Sequence, residues 1–346
     1  MTSEVARVLS RTLEDQQRER LARRNSSSPR AYELYLYGRY HWNKRTTEEF
    51  LKAIPFFEQA ISEDPNFALA YAGLADCHGL LSFDGGQTHQ RMPKAKRFAE
   101  QAILLNEQLA EGHTSLAMVN ALYEWRWPKA EAEFRRAIEL NPGHATAHHW
   151  YAVHLNAQGR RKEAEAEFAR ALSLDPQSPI VITNAGYPAH YAREYPTAVA
   201  AYKKALAVDQ NFLPAHKDLM LAYEQSHDYP RALEEACLTL ALGGENTLAG
   251  TLRAAAGSPV TAQSYAAAMR KWQSVLEDQA KAVYVAPVTL GSLAARNGDR
   301  TAAFHWLYKG LEERSAPLVY LKADPLYDPI RDDPRFRQLL SRIGLT

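Results

Sequence analysis

Residues 130–142, AEAEFRRAIELNP, return as AEAEFARALSLDP at residues 164–176, and that near-identity at an offset of 34 decides the architecture. Ala130, Ala164, Ala198 and Ala232 share one phase, as do Ala137, Ala171, Ala205 and Thr239 and the aromatic series Phe134, Phe168 and Tyr202. Within residues 145–176, Trp150, Tyr151, Ala152 and Leu155 supply the apolar stripe of a first helix, and Ala164, Phe168, Ala171 and Leu172 that of a second. Small Ala at the crossing lets two backbones approach while Phe168 fills the space beside it, so the unit is predicted to be an antiparallel helical hairpin.

Proline punctuates this pattern consistently. Pro128, Pro196 and Pro230 share a phase at the predicted start of second helices, where a residue without an N–H is tolerated. Pro65, Pro142 and Pro176 follow the apolar runs EQAIS, RRAIEL and ARALSL, where the same chemistry ends a helix.

The spacing of large, small and aromatic residues resembles the tetratricopeptide repeat family. Its pattern falls on His148, Tyr151, Ala152, Leu155, Ala164, Phe168, Ala171 and Pro176, then on Ile182, Ala185, Gly186, Ala198, Tyr202 and Ala205. The resemblance implies an all-α fold, a right-handed superhelical solenoid of antiparallel hairpins, and is strong over residues 110–244. Gly38, Ala53, Phe57, Ala60 and Pro65 continue it with three extra residues in the turn KRTTEE. Tyr71, Leu74, Ala75, Ala95 and Ala102 do so with about eight extra around SFDGGQTH. Six repeats are thus expected over 31–244 and two weaker hairpins over 245–315, of which 246–280 carries few family residues and Leu290, Gly291, Ala303 and Leu307 restore part of the motif. The tail, 316–346, mixes proline turns with a short amphipathic segment and is expected to cap the last apolar face.

Residues 1–24 place Val5, Val8, Leu9 and Leu13 on one stripe and are expected to form a separate amphipathic helix, joined by a linker over 25–30. Its end, RERLARR, reads as a solvated helix terminus with arginines near the negative pole of the dipole. A formal net charge of +1 offers no global field for nucleic acid or an anionic membrane, so neither is an expected partner. No run approaches the roughly 20 apolar residues that span a bilayer. Charged Glu4, Arg7 and Arg11 stand where a secretory signal needs an apolar core, so a cytoplasmic location is expected. Cys77 and Cys237 fall several hairpins apart and are expected to remain thiols.

Catalytic chemistry finds little support. There is no GxxxxGK[ST], GxGxxG, GxSxG or HExxH, and the acidic pairs Asp332/Asp333 and Glu312/Glu313 lie in solvated runs, so no enzyme activity and no cofactor are expected. The cluster HATAHHWYAVH brings His144, His148, His149 and His154 together, with His144 and His148 at i, i+4. No Cys or acidic residue completes a tetrahedral set, so mixed packing and surface histidines are expected and no metal.

Solenoids of the family bind a segment of another protein on the concave surface made by successive first helices. Carried over by register, the resemblance assigns that surface to Tyr32, Tyr35, Arg39, Trp42 and Asn43 in the first unit. It continues through Asp76, Thr114, Met118, His149, Val153 and Asn156, then Thr183, Tyr187, His190 and Tyr191, and last Lys217, Leu221 and Glu224. Aromatic, amide and single charged residues of this kind suit a peptide-binding face; the alternative is that Tyr35, Tyr187 and Tyr191 pack between hairpins. The whole chain is also similar to the repeat region of bacterial multidomain regulators whose heads are winged-helix, adenylate-cyclase-like or Ser/Thr kinase domains. That resemblance implies a scaffold in a bacterial signalling or transcription-control system, or, alternatively, a headless fragment whose repeats sense a ligand or self-associate.

Overall fold

A computed structural model describes residues 26–84 and 87–346, so the expected helix over 1–24 lies outside the described residues. They form two compact units, the first ending at residue 142 but without 125–127, the second comprising 125–127 and everything from 143. All regular structure among the described residues is helical.

The first unit contains three hairpins: α1 (Pro29–Trp42) with α2 (Thr47–Glu63), α3 (Ala68–Asp84) with α4 (Thr88–Leu105), and α5 (Ala110–Leu122) with α6 (Trp127–Leu140), of which Trp127 alone belongs to the second unit. Phe57 on α2 is fully buried, and a Cβ added at Gly38 or Gly73 would lie 2.5 or 2.7 Å from its ring. Glycine on two first helices is therefore what lets one second-helix aromatic wedge between them. The three extra residues expected in the first turn are found in the helix instead: α2 has 17 residues where α6 has 14. Thr46 caps the added turn by accepting from the Glu49 N–H, and Glu48 and Glu49 sit at the positive end of the dipole, so the insertion is helix-compatible.

The second unit begins with α7 (Ala145–Ala157) and α8 (Arg161–Leu174). The next first helix is split into α9 (Pro179–Asn184) and α10 (Tyr187–Tyr191), followed by α11 (Tyr195–Val208). Gly186 at the split stands where a Cβ would be 2.7 Å from the ring of Tyr202. Three hairpins follow: α12 (Leu213–Gln225) with α13 (Tyr229–Leu242), α14 (Asn246–Ala256) with α15 (Ala262–Gln279), and α16 (Pro287–Arg296) with α17 (Arg300–Glu312). The weak stretch at 246–280 is thus a helical hairpin, and one core runs through it from Tyr202, Leu219 and Leu233 to Leu248, Leu252, Tyr265, Met269 and Leu293. Prolines fall where the sequence placed them: α11 and α13 carry one in the first turn, and α6 and α8 stop two residues before Pro142 and Pro176.

The tail forms two single 3-10 turns, Ala316–Tyr320 and Pro325–Ile330, and then α18 (Pro334–Arg342). Phe336 and Leu339 of α18 are buried, the Arg335 guanidinium lies 4.1 Å from the centre of the Phe304 ring, and the Tyr308 hydroxyl donates to Gln338 at 3.0 Å. Beyond α18 the chain turns back onto the unit's opening residues: the Trp127 indole N–H donates to the Ile343 carbonyl at 2.8 Å, and the Arg314 guanidinium sits 5.1 Å from the Trp125 ring.

Candidate functional site

Within the histidine cluster His148, His149 and His154 are buried and His144 is half-buried. Three histidines on first helices pair with glutamates on the following second helices through Nδ1: His113 with Glu133 at 2.7 Å, His148 with Glu167 at 2.6 Å and His216 with Glu235 at 2.6 Å. The glutamates keep the repeat phase, and the second ring nitrogens of His113 and His216 lie 2.9 Å from the carbonyls of Glu107 and Gln210. With an acceptor on each side the His113 ring favours its protonated form, and the Glu133 hydrogen bond raises its pKa. These are hairpin clips; no group of three metal-ligating side chains occurs among the described residues. Cys77 and Cys237 are buried free thiols, and no described helix is long and apolar enough to cross a membrane.

The residues assigned to the concave row divide into sealed and accessible groups. In the first unit, Trp42 is 1% exposed and carries the guanidiniums of Arg39 and Arg45 over its ring at 3.8 and 3.4 Å. Thr114 turns its hydroxyl onto the Ala110 carbonyl, and Met118 is buried over Gly79. Tyr35 is half-buried between hairpins, its ring 5.7 Å from Phe57 and 5.3 Å from Phe67, with Tyr32 stacked on it at 6.2 Å. Asp76 is buried, accepts from the Ser115 hydroxyl at 2.6 Å and faces Arg39 at 3.6 Å. Burial nonetheless outweighs that cation and pushes the Asp76 carboxyl up to about 6. Asn43 is exposed, and Tyr32 and Arg39 are half-buried.

In the second unit, His149 is 2% exposed with Nε2 2.9 Å from the Asn184 amide, Thr183 donates to the Pro179 carbonyl, and Asn156 and His190 are buried. Burial lowers the His190 pKa to about 4, leaving a neutral ring whose Nδ1 meets the Tyr202 hydroxyl at 3.1 Å. Glu224 is clamped by the Arg296 guanidinium and accepts from the Tyr265 hydroxyl at 2.6 Å, which holds its carboxyl below the usual range despite burial. Val153 and Leu221 are half-buried and Lys217 is exposed.

The last of the expected row in this unit stand beside the chain's own tail. Tyr187 and Tyr191 stack at 5.7 Å, Tyr191 lies 6.4 Å from Tyr320, and Arg193 pairs with Asp328 at 2.6 Å. Beside them is Asp218, absent from the expected row. Its Oδ2 is sealed from solvent with no hydrogen-bond partner among the described residues, and burial raises the carboxyl to about 7 with Asp324 of the tail adding to the rise. Asp324 accepts from the Leu326 N–H at 2.9 Å and is itself raised by burial to about 6. Sequence reasoning missed Asp218, Arg193 and Arg296 because they are not family pattern positions. The tail did carry a signal, three Asp-Pro steps at 324, 328 and 333, of which the first opens a 3-10 turn and the last opens α18.

Residues 120–179 match the tetratricopeptide repeat family model, so that stretch, from the end of α5 to the start of α9, carries the repeat. No curated protein matches. Among solved structures the chain is similar to Pseudomonas aeruginosa pilF, at 19% identity over 73% of this chain and 97% of that one, with a TM-score of 0.41. It is also similar to a Thermus thermophilus thermophilic TPR protein, at 19% identity over 56% and 98%, TM-score 0.46, and to yeast Tom70, at 15% identity over 97% and 77%, TM-score 0.47.

Proposed function

We propose that the chain is a non-enzymatic scaffold that binds a segment of another protein on the inner faces of its hairpins, within a bacterial signalling or transcription-control system. The observation that carries the reading is the inner face of the second unit, where Tyr187, Tyr191 and Arg193 already hold a short helical segment, the chain's own tail. A surface that seats one such segment through aromatic stacking and a guanidinium has the chemistry to seat another. Tyr32, Arg39 and Asn43 present comparable groups in the first unit.

The test is capture of a protein from native extract by the wild-type chain and by an Asn43→Ala, Lys217→Ala variant, chosen because both side chains are exposed and their loss leaves the core intact. The captured protein is identified, and its binding segment is titrated calorimetrically against both chains. Binding weakened at least tenfold in the variant, at equal helicity, supports the reading; equal affinity moves the site off the inner faces. The alternative, a fragment that self-associates, is supported instead if the chain sediments as a dimer and captures nothing.

A further inference from the structure

The second helix of the second hairpin, α4, reads THQRMPKAKRFAEQAILL and sets Arg91, Lys94, Lys96 and Arg97 against a single acid, Glu100. On the neighbouring second helices the cations find acids within their own helix, Lys52 with Glu48 and Glu49 on α2, Arg135 with Glu131 and Arg136 with Glu139 on α6. On α4 Lys96 pairs with Glu124 at 2.9 Å, but Arg91, Lys94 and Arg97 make no ion pair and no hydrogen bond among the described residues. Lys94 and Arg97 are exposed, whereas Arg91 is half-buried with its Nε sealed from solvent, and burial lowers its pKa. A guanidinium drawn partly out of water with no acceptor for its N–H groups costs free energy.

These charges gather about a histidine. The His78 ring of α3 stacks on Phe98 of α4 at 5.7 Å and 15°, and the Arg97 guanidinium lies 5.5 Å from the centre of the same Phe98 ring. Lys94 precedes Phe98 by one helical turn and Arg91 by two, so both leave α4 on the face that carries the stack. His78 is 8% exposed, makes no hydrogen bond among the described residues, and has its Nδ1 sealed without a partner. Burial, and then Lys94, Arg91 and Arg97, hold its pKa down to about 4, so the ring is neutral. Asp76 stands two residues back on α3 and so on another side of that helix, where Ser115 and Arg39 engage it. The result is a positive cluster built without an anion.

We infer that His78, Arg91, Lys94 and Arg97 form a binding site for a phosphoryl group. Two guanidiniums offer planar forks that match phosphate oxygens, Lys94 adds a point charge, and the neutral His78 ring adds one N–H donor. A carboxylate has one charge to set against three cations, whereas a phosphoryl group carries nearly two and presents three acceptor oxygens. The site is independent of the scaffold reading, since no residue of the expected inner row takes part in it.

The test is a titration of the full chain with inorganic phosphate near neutral pH and at low salt, followed by calorimetry and by the ring signals of His78 in NMR. Saturable binding is expected, and with it a rise of the His78 pKa from about 4 toward the ordinary histidine value as the anion offsets the cations. A Lys94→Gln, Arg97→Gln double variant, altered only at exposed positions, is expected to bind about tenfold more weakly at equal helicity, and Arg91→Gln to do the same. No saturation at millimolar phosphate, binding that leaves the His78 pKa where it was, or an affinity unchanged in the double variant overturns the inference. A short peptide carrying one phosphoserine is then titrated beside the same peptide with glutamate in its place. A phosphoserine peptide that binds more tightly than inorganic phosphate assigns the group to a phosphorylated segment of another protein, and one that binds more weakly assigns it to free phosphate. A glutamate peptide that binds as tightly as the phosphoserine one removes the preference for a phosphoryl group and overturns the site.

Discussion

In the first unit Asp76 is met by a hydroxyl and a guanidinium from neighbouring hairpins, Ser115 and Arg39; in the second, Asp218 keeps one carboxylate oxygen sealed from solvent without a hydrogen-bond partner among the described residues. Both carboxyls are raised by burial, to about 6 and about 7. The difference lies in what would follow from removing the partner. Taking away Arg39 strands the Asp76 charge inside its own unit, whereas Asp218 has no ion-pair partner among the described residues to lose. A residue assigned to a groove by register is therefore not yet a binding residue: its chemistry depends on which neighbour the rest of the chain supplies.

The largest effect bears on what the two units share. Phe57→Ala empties the slot beside Gly38 and Gly73, and Tyr202→Ala the slot beside Gly186; each is expected to cost roughly 3–5 kcal/mol in denaturant unfolding. Losses that differ widely between the two would show that the units pack by different rules. Next is Glu224→Gln, which leaves the buried Arg296 without its counter-charge and is expected to cost about 3 kcal/mol, confined to the second unit. The Glu224 pKa is lowered on folding, so its contribution is present above the ordinary carboxylate value and is lost as pH falls through the folded one. The variant should accordingly show a flatter acid limb in a stability-against-pH curve. Smallest is His113→Ala, expected to cost about 1–2 kcal/mol near pH 6. The His113 pKa is raised on folding, so the clip is fully present below the unfolded value and fades as pH rises through the folded one. A penalty that grew with pH would exclude the charged clip.

The hairpins were legible because their cause is local and periodic: an alanine at each crossing, an aromatic four residues on, and a proline where a helix begins or ends. Even the hairpin at 246–280 follows helical composition, although Tyr265 and Met269 fill its core where the family residues do not. The candidate row was legible only as a register. That Trp42, Thr183 and His149 turn inward follows from their partners elsewhere in the chain, and the pairing of His149 with the Asn184 amide has no signature within one repeat. The clips at His113, His148 and His216 did have one, a histidine and a glutamate recurring in phase on paired helices. The seat of the tail had none, since Arg193 and Asp328 lie 135 positions apart.

The bond from the Trp127 indole to the Ile343 carbonyl closes 216 positions of sequence. An array of hairpins that touch only their neighbours unfolds piecemeal, fraying from whichever end is weaker. A strap from the last residues to the first removes one of those ends, and with it the cheapest place for melting to begin. The second unit is then expected to lose its structure as one block, with the exchange of its outermost helices as slow as that of its middle, and to fold more slowly than a run of local contacts would.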